Sequence, residues 1–295
     1  MCPAPRTSCA SNPFSLPATV DGPLRLRFLG TGTSFGVPVV GCRCATCTST
    51  DPRDRRTRHA AFLEWPGHRL LIDAPPELRL QLLAADVDAV DAVWLTHTHA
   101  DHLHGLDDLR VFRRPADNPP LPVMAPRWAL DELQRRFGYI FDLEAHPRPG
   151  TSRPRARLVP IDPYVPVRIH GVEVLPLLVD HGGEPVLGLR LGPVGYITDA
   201  KTLPPATRAA LRGVRLLVLN ALWSGHTHPT HLNVEEAVAL AWELGAATTY
   251  LTHLSHRIRH AETEAALPPF VRLAYDGLTV AVDASVCSAT TTPTS

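Results

Sequence analysis

Lysine is almost missing from this chain: Lys201 is the only one among 295 residues, so no GxxxxGK[ST] can be written and a Walker phosphate loop is excluded. An excess of either charge is missing too. The 29 Lys+Arg balance 29 Asp+Glu, and a formal net charge of zero provides no global field favouring nucleic acid or an anionic membrane. No stretch approaches the ~18 consecutive apolar residues of a membrane-spanning helix. The N-terminal MCPAPRTSCASNPFSLPATVDGP lacks a basic segment followed by an apolar run, so a cytoplasmic location is expected. Cysteines number six, too sparse for the disulfide framework of a small secreted domain. Cys2 and Cys9 fall in the Pro/Ser/Ala-rich leader. Cys42, Cys44 and Cys47 are packed into GCRCATC. Three thiolates cannot complete a tetrahedral zinc site, so a fourth ligand must come from elsewhere. His59 is nearest in sequence, and Cys287 is another candidate.

With 44% hydrophobic residues the chain can bury a sizeable core. Short apolar runs (LRLRFLG, AAFLEW, HRLLI, AVWLT, VEVLPLLV, VGYIT, RLLVLN and TTYLT) read as strands. They alternate with helical patterns in PELRLQLLAA, DHLHGLDDLRVF, PRWALDELQRRF, LPPATRAALR and VEEAVALAWEL. Before the last, Asn233 with Glu236 predicts a capping box, and Gly245 a C-terminal stop. The alternation predicts an α/β fold. The expected organisation is a disordered tail over 1–23, a single domain over 24–283 and a second disordered tail over 284–295. VRLAY-DG-LTVAV, 271–282, reads as a closing hairpin with Asp276 and Gly277 as a two-residue turn. The stretch 144–166, with Arg148, Arg153, Arg155 and Arg157, reads as a long surface loop; its arginines could meet a phosphate. Gly30, Gly32 and Gly36 imitate a dinucleotide fingerprint, but their GxGxxxG spacing and the Pro38 that follows argue against it.

The chemistry concentrates in AVWLTHTHADHLHG, 92–105, where a strand runs into His97, His99, Asp101, His102 and His104. In extended chain, residues i and i+2 point to one side, so His97 and His99 can converge on one ion. Asp101 and His102 follow where the chain turns into a helix, offset enough to hold a second. Such clustered His and Asp are ligands of hydrolytic metals. Further donors follow other expected strands: His181, Asp199 and His253. In open α/β sheets, sites form beyond the carboxyl ends of strands, where these side chains can meet.

THTHADH with the His181, Asp199 and His253 contexts resembles the metallo-β-lactamase superfamily of dinuclear metallohydrolases, over roughly residues 24–283. The resemblance implies an αβ/βα four-layer sandwich. It implies that His97, His99 and His181 bind one divalent ion and Asp101, His102 and His253 another, with Asp199 bridging. Asp73 in LLIDAPP matches a position that supports the site from behind the ligands; His104 matches none. LGTGTSFGVPVVGCRCATC, HPTHLN and LTHLSH resemble the PhnP-type phosphodiesterases, which hydrolyse 5-phosphoribosyl 1,2-cyclic phosphate in phosphonate breakdown. That resemblance implies catalysis by His231 beside Asp101, and His256 as the fourth ligand of a structural zinc with Cys42, Cys44 and Cys47. The implied cofactors are two active-site ions, zinc or manganese, and one structural zinc. The implied partner is a small phosphodiester; nucleic acid and membrane are not expected, and a homodimer is left open. Alternatives are other cyclic nucleotides as substrate, a tRNA 3′-end endonuclease, and a non-enzymatic PqqB-like factor in quinone cofactor biosynthesis. The absence of net positive charge argues against the endonuclease. The complete HxHxDH argues against the PqqB-like factor.

Overall fold

In LRLRFLG the even residues Leu24, Leu26 and Phe28 are fully buried while Arg25 is exposed, the alternation of a strand with one face on a core. This is β1 (Leu24–Gly30) of a computed structural model that describes residues 22–112, 119–144 and 148–282. The expected terminal tails, with Cys2, Cys9 and Cys287, lie outside the described residues except for Gly22 and Pro23. There follow β2 (Ala60–Trp65), β3 (His68–Ile72), α1 (Leu78–Ala84), β4 (Ala92–Trp94), α2 (Ala100–Leu103), β5 (Leu121–Pro126), α3 (Leu130–Phe141), β6 (Ala156–Ile161), β7 (Val167–Ile169) and β8 (Val172–His181). The second half contributes β9 (Glu184–Leu191), β10 (Val194–Tyr196), α4 (Pro205–Leu211), β11 (Leu216–Asn220), α5 (Val234–Leu244), β12 (Thr248–Thr252), α6 (His260–Ala266), β13 (Val271–Leu273) and β14 (Thr279–Val282).

Two seven-stranded sheets result, ordered β14-β1-β2-β3-β4-β5-β6 and β13-β12-β11-β10-β9-β8-β7. Each is antiparallel in one half and parallel in the other: β3 to β6 run together, as do β10 to β13. Side-chain alternation sorts residues into layers. From β2, Ala61, Leu63 and Trp65 face the second sheet, where they join Leu189, Tyr196 and Val218 in the central core. Ala60 and Phe62 point outward, under Leu78 of α1 and Leu133 of α3. On the other side Leu217, Leu219 and Leu251 lie under Leu211 of α4 and Leu240 of α5. The architecture is therefore the expected αβ/βα sandwich of helix, sheet, sheet, helix. Among the described residues no helix is long and apolar enough to cross a membrane.

The capping box of α5 forms as its sequence predicts: Glu236 N donates to Asn233 Oδ1 at 2.7 Å and Asn233 N to Glu236 Oε2 at 2.9 Å. Three expectations need correction. Residues 271–282 are not a hairpin, because β13 pairs with β12 in one sheet and β14 with β1 in the other. Asp276 and Gly277 are instead the crossing between sheets, where the Asp276 carboxylate accepts from both N and Oγ1 of Thr31 and of Thr57. Nor is 144–166 all loop: Ala156–Ile161 forms the edge strand β6, where Pro160 is tolerated. Arg148, Arg153 and Arg155 precede β6 and so stand at the N-terminal ends of the parallel strands, away from residues that follow β4. The helix expected over 101–112 breaks after Leu103, and Leu106–Val111 continues as a 3₁₀ turn. At the break, a Cβ on Gly105 would come within 2.0 Å of the Pro75 carbonyl oxygen.

Candidate metal centre

Parallel strands deliver their last residues to one end of the sandwich. Asp73 follows β3, His97 lies three residues beyond β4, Asp199 three beyond β10, and His253 directly after β12, while His181 ends β8. Asp73, Asp199 and His253 have φ of 61°, 51° and 56°, the left-handed region that non-glycine residues seldom occupy. Each chain reverses abruptly there, which aims the side chain across the sheet end instead of along it.

Neighbouring groups fix the orientation of each ring. The Asp73 carboxylate accepts from Thr96 N at 2.9 Å and lies 2.6 Å from His102 Nδ1, so His102 turns its Nε2 toward Asp199 Oδ2, 3.3 Å away. His97 Nδ1 lies 2.9 Å from Thr96 Oγ1, and His181 Nδ1 2.8 Å from the Thr230 carbonyl. Asp199 is central. Its Oδ1 is 3.0 Å from His231 Nε2 and 3.3 Å from His253 Nε2, and its Oδ2 accepts from Thr198 Oγ1 at 2.7 Å. Asp101 Oδ2 stands 3.5 Å from His102 Nε2. The His99 ring is 4.5 Å from that of His97 and 5.5 Å from that of His181, with its Nε2 turned to exposed Glu184 at 3.1 Å.

Titration follows from this crowding. Burial pushes the Asp199 carboxyl up, but His253, His102 and His231 outweigh it and hold Asp199 well below the usual range. Burial likewise opposes ionisation of Asp101 and is overcome by His102. His102 is pushed down by burial yet raised well above the ordinary imidazole value by Asp199, Asp73 and Asp101. Burial lowers His97 and His181, and takes His253 down to about 4. The ionised carboxylates and the neutral His97, His181 and His253 are in the protonation states that bind metal, whereas His102, held charged by three carboxylates, would release a proton on binding an ion.

Whether the cluster suits cations can be read from its unpaired atoms. The buried Nε2 of His97 makes no hydrogen bond, a cost of about 1–3 kcal/mol if left so, and the buried Nε2 of His102 meets only the Asp199 and Asp101 carboxylates, at 3.3 and 3.5 Å. Two donor groups have ligand atoms within 4.8 Å of one another: His97, His102 and Asp199, and His181, Asp199 and His231. Asp199 belongs to both. This division cuts across the one the resemblance implies, and it draws in His231, expected only as a catalytic group. His99, Asp101 and His253 border the two groups. His104 is exposed, its ring edge-on to Phe137 at 6.0 Å.

At the rim of the same end, Cys42, Cys44 and Cys47 surround His256, their sulfurs 3.3, 3.6 and 3.7 Å from its Nδ1. A tetrahedral zinc with Zn–S of about 2.3 Å and Zn–N of about 2.1 Å sets S···N at about 3.6 Å. The donor set fits. The Cys47 N–H holds the Cys44 thiol down to about 6, whereas burial pushes Cys47 up to about 11, so the sulfurs share their charge poorly without a cation. His59, the ligand nearest in sequence, is elsewhere: it is buried beneath the histidine cluster, its Nε2 3.0 Å from Tyr196 Oη and its ring 5.4 Å from His102.

Sequence reasoning missed that backing role of His59 and Tyr196, as well as Thr96, Thr230 and Glu184. Thr96 had a signal, since it separates a strand from its first histidine; the others come from distant segments. It also missed a cationic lip. The Arg257 guanidinium lies 4.6 Å over the Trp223 ring with Nη1 3.4 Å from His226 Nε2, and Trp223 leads through His228 to His231 at ring spacings of 5.0 and 5.1 Å.

Residues 68–254 match the family described as the beta-lactamase superfamily domain. A crystal structure of a new diphosphatase from the PhnP family superposes with a TM-score of 0.81 at 35% identity, covering 88% of this chain and 97% of that one. The chain belongs to the metallo-β-lactamase superfamily, within its PhnP family. A ribonuclease Z of Pyrobaculum neutrophilum is 29% identical over 88% of this chain and 98% of its own length. A Porphyromonas gingivalis protein named octanoyltransferase is 38% identical over 88% of this chain and 52% of its own, so the chain spans about half the length of that relative. Membership of this superfamily together with the likeness to a PhnP-family diphosphatase and to ribonuclease Z makes the chain a metal-dependent hydrolase, and its strand-end cluster is the candidate site for divalent metal.

Proposed function

We propose that this PhnP-family chain is a dinuclear phosphodiesterase whose substrate is a small cyclic phosphodiester, foremost 5-phosphoribosyl 1,2-cyclic phosphate. The reading is carried by Asp199, whose carboxylate lies 3.3 Å from the Nε2 of both His102 and His253 and within 4.8 Å of a ring nitrogen of His97 and of His181, within reach of ligands to both ions as a bridging group would be. In it His97, His99 and His181 hold one ion and Asp101, His102 and His253 the other, with Asp73 orienting His102. Two divalent ions so placed would acidify water toward neutral pH and neutralise charge on the phosphoryl oxygens. The chain's own groups do the rest. Asp101 and Asp199 remain ionised and balance the cations. Thr230 positions His231, its Oγ1 2.8 Å from Nδ1, leaving Nε2 on the Asp199 side to give a proton to the departing sugar oxygen. Arg257, with His226 beside it, offers a charged grip for a second phosphate of the same small molecule. Cys42, Cys44, Cys47 and His256 would hold a zinc with no open position, a structural role.

Similarity to the diphosphatase favours cleavage of a diphosphate bond as a second reading. Similarity to ribonuclease Z favours pre-tRNA 3′ cleavage as a third. Initial rates on metal-replete protein with the 1,2-cyclic phosphate, 2′,3′-cyclic nucleotides, a dinucleoside diphosphate and pre-tRNA separate them. The proposal expects the highest kcat/KM on the cyclic phosphate; preference for either of the last two moves the substrate, and no turnover of any would sink phosphodiester chemistry. His231→Ala is expected to lower kcat by about 10²–10⁴-fold. Arg257→Ala is expected to raise KM with kcat nearly unchanged.

A further inference from the structure

At the far end of the sandwich a third set of donors meets, unrelated to the cluster or to the cysteines. His68 opens β3, across the Pro66-Gly67 turn from Trp65. Asp91 immediately precedes β4, and His170, at φ 46°, stands with Gly171 in the turn that joins β7 to β8. His68 and Asp91 therefore occupy the N-terminal ends of two parallel strands whose other ends lead to Asp73 and His97. Five residue steps along β3, roughly 16 Å at ~3.3 Å each, separate His68 from Asp73. His170 arrives from the edge of the opposite sheet.

One ligand atom from each of the three lies within 4.8 Å of the others. The His68 and His170 rings stack with centroids 4.3 Å apart and planes 14° from parallel. His68 Nδ1 is buried and makes no hydrogen bond. Asp91 is held in place by Arg69 N, which donates to its Oδ2 at 2.9 Å, and His170 Nε2 lies 3.4 Å from the Asp91 carbonyl. A buried imidazole nitrogen without a partner, beside a second imidazole and a carboxylate, lacks a cation that accepts lone pairs. Two nitrogens and one oxygen suit a borderline divalent ion such as zinc or nickel, with water completing the shell. The exposed His170 ring can turn about its Cβ–Cγ bond to leave the stack and share an ion with His68. A cleft of about 560 Å³, lined in part by Arg25, Trp65, His68 and Asp91, opens beside the group and admits ion and water.

We propose that His68, Asp91 and His170 bind a divalent transition-metal ion that joins the two sheets at this end, as the cysteine cluster joins segments at the other. The test uses untagged full-length protein dialysed to equilibrium against low-micromolar Zn²⁺, with metal counted by elemental analysis. His170→Ala and Asp91→Asn should each carry one equivalent fewer than wild type, whereas His104→Ala, an exposed histidine outside all three clusters, should match wild type. The rise in Tm that Zn²⁺ gives metal-stripped protein should also be smaller in His170→Ala. Equal stoichiometry in all four proteins overturns the site, and so does loss of an equivalent from His104→Ala, which marks adventitious binding to surface histidines.

Discussion

Replacing Asp276 by Asn removes a charge while keeping shape, and it separates two accounts of the same dipeptide. Asp276 Oδ1 accepts from Thr31 N at 2.9 Å and Thr31 Oγ1 at 2.7 Å; Oδ2 accepts from Thr57 N and Oγ1, both at 2.7 Å. An Asn amide must present its NH₂ to one of these pairs. The threonine hydroxyl there can rotate and accept, but the backbone N–H faces a donor and loses its bond. Hydrogen bonds to a charged acceptor contribute about 1.5–3 kcal/mol, and those that remain weaken when the charge is removed. Burial, which pushes the Asp276 carboxyl up in pKa, means that neutralisation returns part of this. The net loss is about 2–3 kcal/mol, or roughly 4–12 °C in Tm at 2–4 °C per kcal/mol for a domain this large. Thermal denaturation followed by far-UV circular dichroism measures it. If Asp276-Gly277 were the turn of a hairpin, Asn-Gly would serve as well as Asp-Gly and Tm would not fall. A Tm within about 1 °C of wild type refutes the inter-sheet account of this residue.

Three other outcomes follow from the cluster and its surroundings. Asp73→Asn leaves an amide that orients His102 less firmly, so metal affinity should fall about 10- to 100-fold, with activity regained at high metal concentration in a titration. His256→Ala should lose the one ion that survives mild chelation and lower Tm while kcat per active site stays near wild type; an unchanged ion count after chelation removes the structural-zinc assignment. His260 is buried and, with Arg53 and Arg56 also disfavouring its charge, its pKa falls to about 4, below the unfolded value of about 6.5. Its contribution is therefore complete above pH 6.5 and lost as pH falls toward 4, on the order of 3 kcal/mol. His260→Gln should flatten that acid limb in urea denaturation, and the difference from wild type isolates this residue from the cluster histidines that both proteins carry.

The strand ends were legible because apolar runs stop abruptly at His or Asp, as in AVWLTHTH, VGYITD and TTYLTH. Where prolines or sparse apolar residues interrupt a run, the signal fades. LPVMAP became β5 only through parallel pairing with β4, and ARLVPI became β6 only through parallel pairing with β5, both non-local facts. HAETEAA buries His260 alone and has no helical stripe, so α6 could not be read. The Asp276-Gly277 turn misled for a clear reason: turn chemistry is local, whereas the choice of strand partner is made by β1 and β12, each of which needs an edge filled. In the site, donor identities lay in the sequence but their grouping did not. That His231 stands beside Asp199, and that Glu184 meets His99, depends on how far two loops fold back over the sheet ends.

The left-handed conformations of Asp73, Asp199 and His253 set chemistry against foldability. Each costs roughly 1–2 kcal/mol that glycine would not, about 3–6 kcal/mol together, against a net stability of ~5–15 kcal/mol for a typical domain. Glycine at any of the three would relax the corner and discard the donor. The polypeptide is thus a spring loaded at two proposed ligands, Asp199 and His253, and at Asp73, which orients a third, so ion binding there would contribute to its folding free energy. Without its ions the protein would be softer and more protease-sensitive, so its abundance as well as its activity would follow metal supply.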